Sequence, residues 1–292
     1  MKKLNIDGIY TADELYKDVF DLYEGKSATQ YTTGFNNLDQ IYKIVKPCFT
    51  VITGCPNSGK STFCYDLCIH LAKKYKFKFA IFSPEHSLST NIQRLAEKYH
   101  KKPFAKMFDD RMTKEELGEA IVFLNKHFWF IDRKADTPNI DWILDKAYKL
   151  HDAVGLDCLV LDPYNEIDPT RELREDEHIS LVISKIKRFN RETNTLSYLI
   201  AHPNKQIRNA EGKFVVDSLY SISGSAHFNN KCDVGLILSR NYETEKTDIR
   251  VAKVRENDVY GNIGIVDLHW SKTKRGFVEM DDTRSLDDFL KS

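Results

Sequence analysis

The stretch Gly54-Cys55-Pro56-Asn57-Ser58-Gly59-Lys60-Ser61 has the spacing of a loop that wraps a phosphate chain. Its glycines let the backbone curl so that successive N–H groups face a β-phosphate. Lys60 is placed to reach the β- and γ-phosphates, the Ser61 hydroxyl suits Mg²⁺, and Thr62 extends the phosphate-facing set. Leu159-Val160-Leu161-Asp162 is an apolar run ending in a carboxylate. Asp162 can hold the water shell of Mg²⁺ opposite Ser61; an aspartate closing a turn before Pro163 is the other reading. Hydrolysis also needs a group to orient and polarise water. Glu85, in Ser83-Pro84-Glu85-His86-Ser87, ends another apolar run and can fill that role, or be a solvated loop glutamate. Together these residues point to hydrolysis of ATP with Mg²⁺.

The elements that must position them follow from hydrophobic period. Strands are predicted over Phe49–Thr53, Lys78–Phe82, Phe128–Asp132, Cys158–Leu161 and Tyr198–Ala201. Helices are predicted between them, over Lys60–Lys74, Thr90–Tyr99, Lys114–Asn125, Ile140–His151 and His178–Thr193. Strand–helix alternation implies an α/β fold, a mostly parallel central sheet with helices on both faces. Each motif then sits at a strand's carboxyl end, where open α/β sheets bind ligands. Beyond residue 233 the helices stop. Val234–Ser239, Asp248–Val254 and Ile263–Trp270 read as an antiparallel C-terminal extension, with a turn over Val259–Gly261. Residues 11–24 read as an amphipathic helix, with Thr11 and Glu14 as a capping box and Leu15, Val19 and Leu22 on one face. Its stripe docks on its own domain or on a neighbouring subunit. Lys26–Thr33 reads as a linker. The expected division is residues 1–32 as linker helix and linker, 33–280 as the main domain, and 281–292 as an acidic tail.

Composition sets limits. Hydrophobic residues make up 41% of the 292 and charged residues 29%, ordinary for a globular protein. No apolar run is long enough to span a bilayer and no signal peptide is evident, so no membrane partner is expected. The six cysteines form no C-x-x-C pair. Buried thiols in a reducing cytoplasm are the expectation. Cys64 and Cys68, one helical turn apart, are expected to pack beneath their helix rather than to bind metal. Net charge is zero, so composition alone gives no support for nucleic-acid binding.

With these motifs in order, the chain resembles the motor domain of DnaB-type replicative helicases, within the Twinkle-like and phage primase-helicase branch. The resemblance runs from about Thr33 to Lys274 and includes Thr33-Gly34-Phe35, Ser83-Pro84-Glu85-His86-Ser87 and Val160-Leu161-Asp162-Pro163-Tyr164-Asn165-Glu166. It implies a RecA-like ATPase that assembles as a ring, most often a hexamer, and moves 5′ to 3′ on single-stranded DNA during replication. It also implies that His202, ending Tyr198–His202, senses the γ-phosphate. Val251-Ala252-Lys253-Val254-Arg255 resembles the family's K-x-R strand, whose two cations reach the ATP of the adjacent subunit. Alternation places Lys253 and Arg255 on one face, and buried cations there would need an anion. A solvated edge strand is the other reading. No primase or zinc-binding segment precedes the motor, so the chain is either a stand-alone minimal helicase or a fragment. A separate primase or loader is a further expected partner.

Two loops are candidates for DNA. One follows Asp162 and carries Arg171 and Arg174; the other follows His202 and carries Lys205 and Arg208. Lys205 and Arg208 are the stronger pair, because Glu172, Glu175 and Asp176 offset the arginines. Neither loop has an aromatic platform for stacking bases, which favours contact with the DNA backbone. The resemblance and the residues leave two competitors. One is a RecA- or KaiC-like ATPase that assembles on DNA or protein without unwinding. The other is a P-loop kinase, against which Glu85 and the Lys253/Arg255 strand both argue.

Overall fold

Phe49, Val51 and Ile52 lie wholly out of solvent, because the central sheet is covered on both faces. The computed structural model describes residues 6–24, 28–133, 138–169, 173–203, 207–208, 214–222 and 226–279. The chain opens with α1 (Tyr16–Tyr23), β1 (Gln30–Tyr31), α2 (Asn36–Asp39) and β2 (Ile44–Val45). Then β3 (Cys48–Gly54) leads into α3 (Lys60–Tyr75), and β4 (Phe79–Phe82) into α4 (Leu88–His100) and α5 (Lys114–His127). β5 (Phe128–Ile131) leads into α6 (Ile140–Val154), and β6 (Cys158–Leu161) into α7 (Glu175–Thr193). After β7 (Leu196–Ile200) come the paired β8 (Ile207–Arg208) and β9 (Phe214–Val215), and then α8 (Ala226–Lys231). Last come β10 (Val234–Arg240), β11 (Lys246–Val254), α9 (Asn257–Tyr260), β12 (Gly264–Ser271) and β13 (Gly276–Val278).

Among the described residues, nine strands form one sheet in the order β13-β12-β11-β10-β3-β7-β6-β4-β5. From β10 to β5 neighbouring strands run parallel. β11, β12 and β13 add on antiparallel, as the absence of long helices between them requires. Alternation along each central strand feeds two cores. Cys48 and Ile52 of β3 join the core beneath α3, with Phe63, Leu67 and Leu71. Phe49 and Val51 join the other, with Ile179, Val182, Ile183 and Ile186 of α7. The α7 spacing is the helical i, i+3, i+4, i+7 pattern, and each such side chain contributes about 1.5–3 kcal/mol of burial. Cys64 and Cys68 are buried in the first core, and no metal-ligand cluster exists among the described residues.

Several boundaries differ from expectation. The N-terminal helix is shorter than 11–24. The Thr11 amide and hydroxyl both donate to Glu14 Oε2, at 2.9 and 3.1 Å, and close a turn before α1 begins. Part of the expected linker is built into the domain: Gln30 and Tyr31 pair with Val45 and Ile44, and buried Thr33 donates to Asp39. The turn expected over Val259–Gly261 overlaps the one-turn helix α9, so helices do not stop at residue 233. β13 adds to the expected strands; the Asp66 carboxylate of α3 accepts from the Phe277 amide at 3.0 Å and fixes it. The acidic tail lies outside the described residues.

Candidate nucleotide site

Steric limits explain the glycines of the phosphate loop. Gly54 has φ +152°, and a Cβ there would lie 2.2 Å from the Leu238 carbonyl oxygen of β10. Gly59 has φ +90°, and its Cβ would meet the Phe277 ring at 2.8 Å. The loop therefore lies directly against the neighbouring strand and β13. Lys60 opens α3, and its Nζ donates to the carbonyls of Gly54 and Cys55 at 3.0 and 2.9 Å. Burial lowers its pKa, with Asp162, Cys55 and Glu85 opposing. Ser61 Oγ donates to Asp162 Oδ1 at 3.0 Å, which joins the first turn of α3 to the end of β6. Burial lifts the Asp162 carboxyl to about 6, against the Ser61 hydrogen bond. The Ser58 hydroxyl is buried without a hydrogen-bond partner among the described residues. A curled loop, a deep lysine, an unsatisfied hydroxyl and a Ser–Asp pair fit a nucleotide with a divalent cation.

A cavity of about 450 Å³ opens over this loop. Pro56, Asn57, Gly59, Lys60, Ser61 and Thr62 line its floor. Glu85 from the end of β4 and His202 from beyond β7 stand at its sides. Gly54, Cys55, Ser58 and Asp162 are not among the lining residues; Asp162 is joined to the lining by its bond with Ser61. Burial also lowers the His202 pKa, helped by Lys60, so the ring favours its neutral form.

The cavity brings in residues that sequence reasoning missed: Arg94, Arg240, Trp270, Arg275 and Phe277. The cations of Lys98, Arg275 and Arg240 lie 5.8, 5.9 and 6.0 Å from the Trp270 ring. Tyr242 donates to the Asn57 carbonyl at 3.1 Å. The result is an aromatic and cationic wall beside the phosphate loop. The pairing of β10 with β3 places it there, and that neighbourhood joins strands far apart in the chain.

Lys253 and Arg255 do not enter this cavity. Val234 pairs with both Thr50 and Val254, whereas Leu238 pairs with Gly54. The end of β11 thus lies beside the start of β3, and the phosphate loop lies at its other end. Arg255 is level with Phe49, because Asp233 bonds both through its backbone, at 2.8 and 2.9 Å. At about 3.3 Å per residue, Phe49 is roughly 17 Å from Gly54. The two cations do share a face, as alternation requires. Lys253 Nζ donates to the Asn229 carbonyl, and Arg255 Nη2 to those of Asn230 and Lys231, each at 3.0 Å. An anion is also present: Arg255 Nε donates to Asp233 Oδ1 at 3.0 Å.

Of the DNA candidates, Arg171 and Lys205 lie outside the described residues. Arg174 is exposed and pairs with Asp176 and Glu177, at 3.4 and 3.2 Å. Arg208 is in β8, a strand where a loop is expected from sequence.

The phosphate loop, the carboxylate at the end of β4 and the mixed sheet define a RecA-like P-loop ATPase fold. The chain belongs to the DnaB-like helicase C terminal domain family, whose pattern matches residues 31–279. It is 37% identical over 283 residues to the Twinkle homolog protein, chloroplastic/mitochondrial, of Arabidopsis thaliana. That match covers 91% of this chain and 39% of the plant protein, so the chain spans well under half of that relative. In structure it resembles a solved, isolated ATPase domain, with TM-score 0.78 and 19% identity over 94% of this chain and all of that one. It also resembles a DnaB-like replicative helicase described with its interactions with primase. There the TM-score is 0.75 and the identity 19%, over 93% of this chain and 69% of the other.

Proposed function

We propose that this chain is the ATP-driven motor of a ring-forming replicative DNA helicase, moving 5′ to 3′ on single-stranded DNA. The reading rests on one observation above all. The phosphate loop is at the carboxyl end of β3, and Lys253 and Arg255 lie beside its amino end. These cations serve a nucleotide only if it belongs to another copy of the chain. Each site is then completed by a neighbour, which is the logic of a ring.

Within one site, Lys60 and the loop amides hold the ATP phosphates, and Ser61 and Asp162 would hold Mg²⁺. When bound, the cation would neutralise phosphate charge. Glu85 orients and polarises water, and His202 contacts the γ-phosphate. Arg255, with Lys253, stabilises charge on the phosphoryl group of the adjacent subunit. Lys205 and Arg208 are the leading DNA contacts and Arg171 and Arg174 the lesser ones, since Arg174 is already paired with two acids.

Assembly uses α1. None of its residues is buried, and Val19, Phe20 and Leu22 are exposed. Its charge is mostly acidic, with Asp13, Glu14, Asp18, Asp21 and Glu24 against the single cation Lys17. A groove lined by Tyr99, Val122 and Phe123, with Lys76, Lys126 and His127 and one acid, Glu119, among its lining, matches it in apolarity and carries more cations than acids. We assign α1 of the adjacent copy to this groove. A primase or loader is the partner class expected outside the ring. No helix among the described residues is long and apolar enough to cross a membrane. The thiols suit a reducing compartment, cytoplasm or organelle matrix.

A forked DNA with ATP tests the proposal. Strand separation that requires a 5′ single-stranded tail is the expected result. DNA-stimulated hydrolysis without separation would favour the RecA- or KaiC-like alternative.

A further inference from the structure

The face that carries Arg255 is more elaborate than a pair of cations awaiting a partner. Asp233 is only 8% exposed and is used on three sides. Its Oδ2 accepts from the Phe49 amide at 3.0 Å, where β3 begins. Its Oδ1 accepts from Lys187 Nζ of α7 at 2.5 Å and from Arg255 Nε at 3.0 Å. The C-terminal carbonyls of α8 complete the arrangement. Asn229 accepts from Lys253, Lys231 accepts from Lys187 at 2.9 Å, and Asn230, Lys231 and Cys232 accept from Arg255 Nη2.

Three cations therefore converge on one carboxylate and the negative end of a helix. One charge cannot neutralise three, and the carbonyl dipoles hold the excess without cancelling it. An arginine fork fixed along its Nε–Nη2 edge loses its rotamer freedom before it meets an anion. Arg255 Nη1 makes no hydrogen bond among the described residues, and the side chain is 39% exposed. One edge of the guanidinium is held and the other is open.

We propose that Asp233, with the C-terminal carbonyls of α8, is the positioning device for Arg255 in the hydrolysis of a neighbouring subunit's ATP. This rests on the trans role given to Arg255 above. Asp233 touches no nucleotide itself. It holds the guanidinium in one pose, so that the cation meets the transferring phosphoryl group without first being ordered.

Asp233 also holds β3, which leads to the chain's own phosphate loop, so the test must separate service to its own site from service to the next. In D233N oligomers, turnover should fall by about 10²-fold, the cost of an ångström-scale misplacement. Affinity for a non-hydrolysable ATP analogue should stay within about twofold of the parent protein, since Asp233 touches no nucleotide. Mixing D233N with K60A subunits should restore turnover at sites where K60A lends an intact, seated Arg255. D233E keeps a carboxylate for Phe49 and Lys187 but displaces the guanidinium. It should fold like the parent, lose part of the turnover and be rescued by the same mixing, so it carries the test alone if D233N does not fold.

Parental turnover in D233E or D233N, with R255A inactive, overturns the positioning role and leaves the trans reading standing. Slow turnover that mixing with K60A does not restore also overturns it, because Asp233 would then be serving its own β3. Full turnover by R255A itself would remove the trans reading on which the proposal is built.

Discussion

The two ends of β3 are built differently. At its carboxyl end, Lys60, Ser61, Asp162 and the loop glycines converge within one chain. Lys60 is held by the loop's own carbonyls, and Asp162 is buried behind Ser61. At its amino end, Lys187 and Arg255 bond Asp233 and Lys253 bonds the end of α8, with no phosphate loop of their own to face. One end has the parts of an anion receptor within a single chain. The other is a cationic surface that the proposed ring would complete with another copy. On the proposed reading the contrast means that the nucleotide chemistry is divided between copies: binding is resident in a chain, and charge stabilisation during transfer is lent.

The sharpest way to break the comparison is to remove the lent part. R255A should slow ATP hydrolysis by ~10³–10⁵-fold, the range for trans-acting arginines. Nucleotide affinity should change little, because the receptor end is untouched. Turnover should reappear when R255A is mixed with K60A. Steady-state hydrolysis with a parallel titration of a fluorescent ATP analogue checks both halves. Wild-type turnover in R255A would erase the division between the ends.

A smaller loss should come from the receptor end. E85Q keeps the side-chain shape but removes the charge that polarises water, and should cost ~10²–10⁴-fold in turnover. Mixing with K60A should not restore it, since Glu85 serves the site it lines. Recovery in the mixture would place Glu85 with the lent groups. G59A probes the frame beneath both. Left-handed backbone costs a non-glycine residue roughly 1–2 kcal/mol, and the added methyl would press on Phe277. For a chain of this size each kcal/mol shifts the melting midpoint by about 2–4 °C, so calorimetry reads the effect directly. An unchanged midpoint would mean that Phe277 and β13 yield at no cost.

The receptor end was legible in the sequence because its parts are local. A phosphate loop is a string of neighbouring residues, and Glu85 and Asp162 each end an apolar run that marks its own strand. The parallel sheet was legible for the same reason, since the period of Cys48–Gly54 or of Glu175–Thr193 needs no partner to be read. What is assembled from distant pieces was not. Arg240 and Trp270 reach the cavity only because β10 lies beside β3, an order no local pattern encodes. Asp233 is one carboxylate among many until Phe49, Lys187 and Arg255 are seen around it. Val259–Gly261 looked like a turn because Gly261 does end the element, and the helical turn before it is too short to carry a period.

The smallest expected effect concerns a segment that belongs to neither end. α1 buries nothing, so its removal costs the isolated chain no core. Deleting residues 1–24 should leave the melting midpoint of the monomer unchanged to within about 2 °C, since surface changes stay within ~0.5 kcal/mol. The oligomer should respond instead. Exposed Val19, Phe20 and Leu22 have apolar surface to bury only against another molecule, and the groove at Tyr99, Val122 and Phe123 offers a place for it. Sedimentation with a non-hydrolysable ATP analogue should then show weaker assembly, and hydrolysis should fall with it, because every Arg255 loses its neighbour. V122D should weaken assembly from the other side of the same contact. If the truncated chain assembles and hydrolyses like the parent, α1 plays no part in bringing the two ends together, and the lent cations must be delivered by contacts of the rest of the domain.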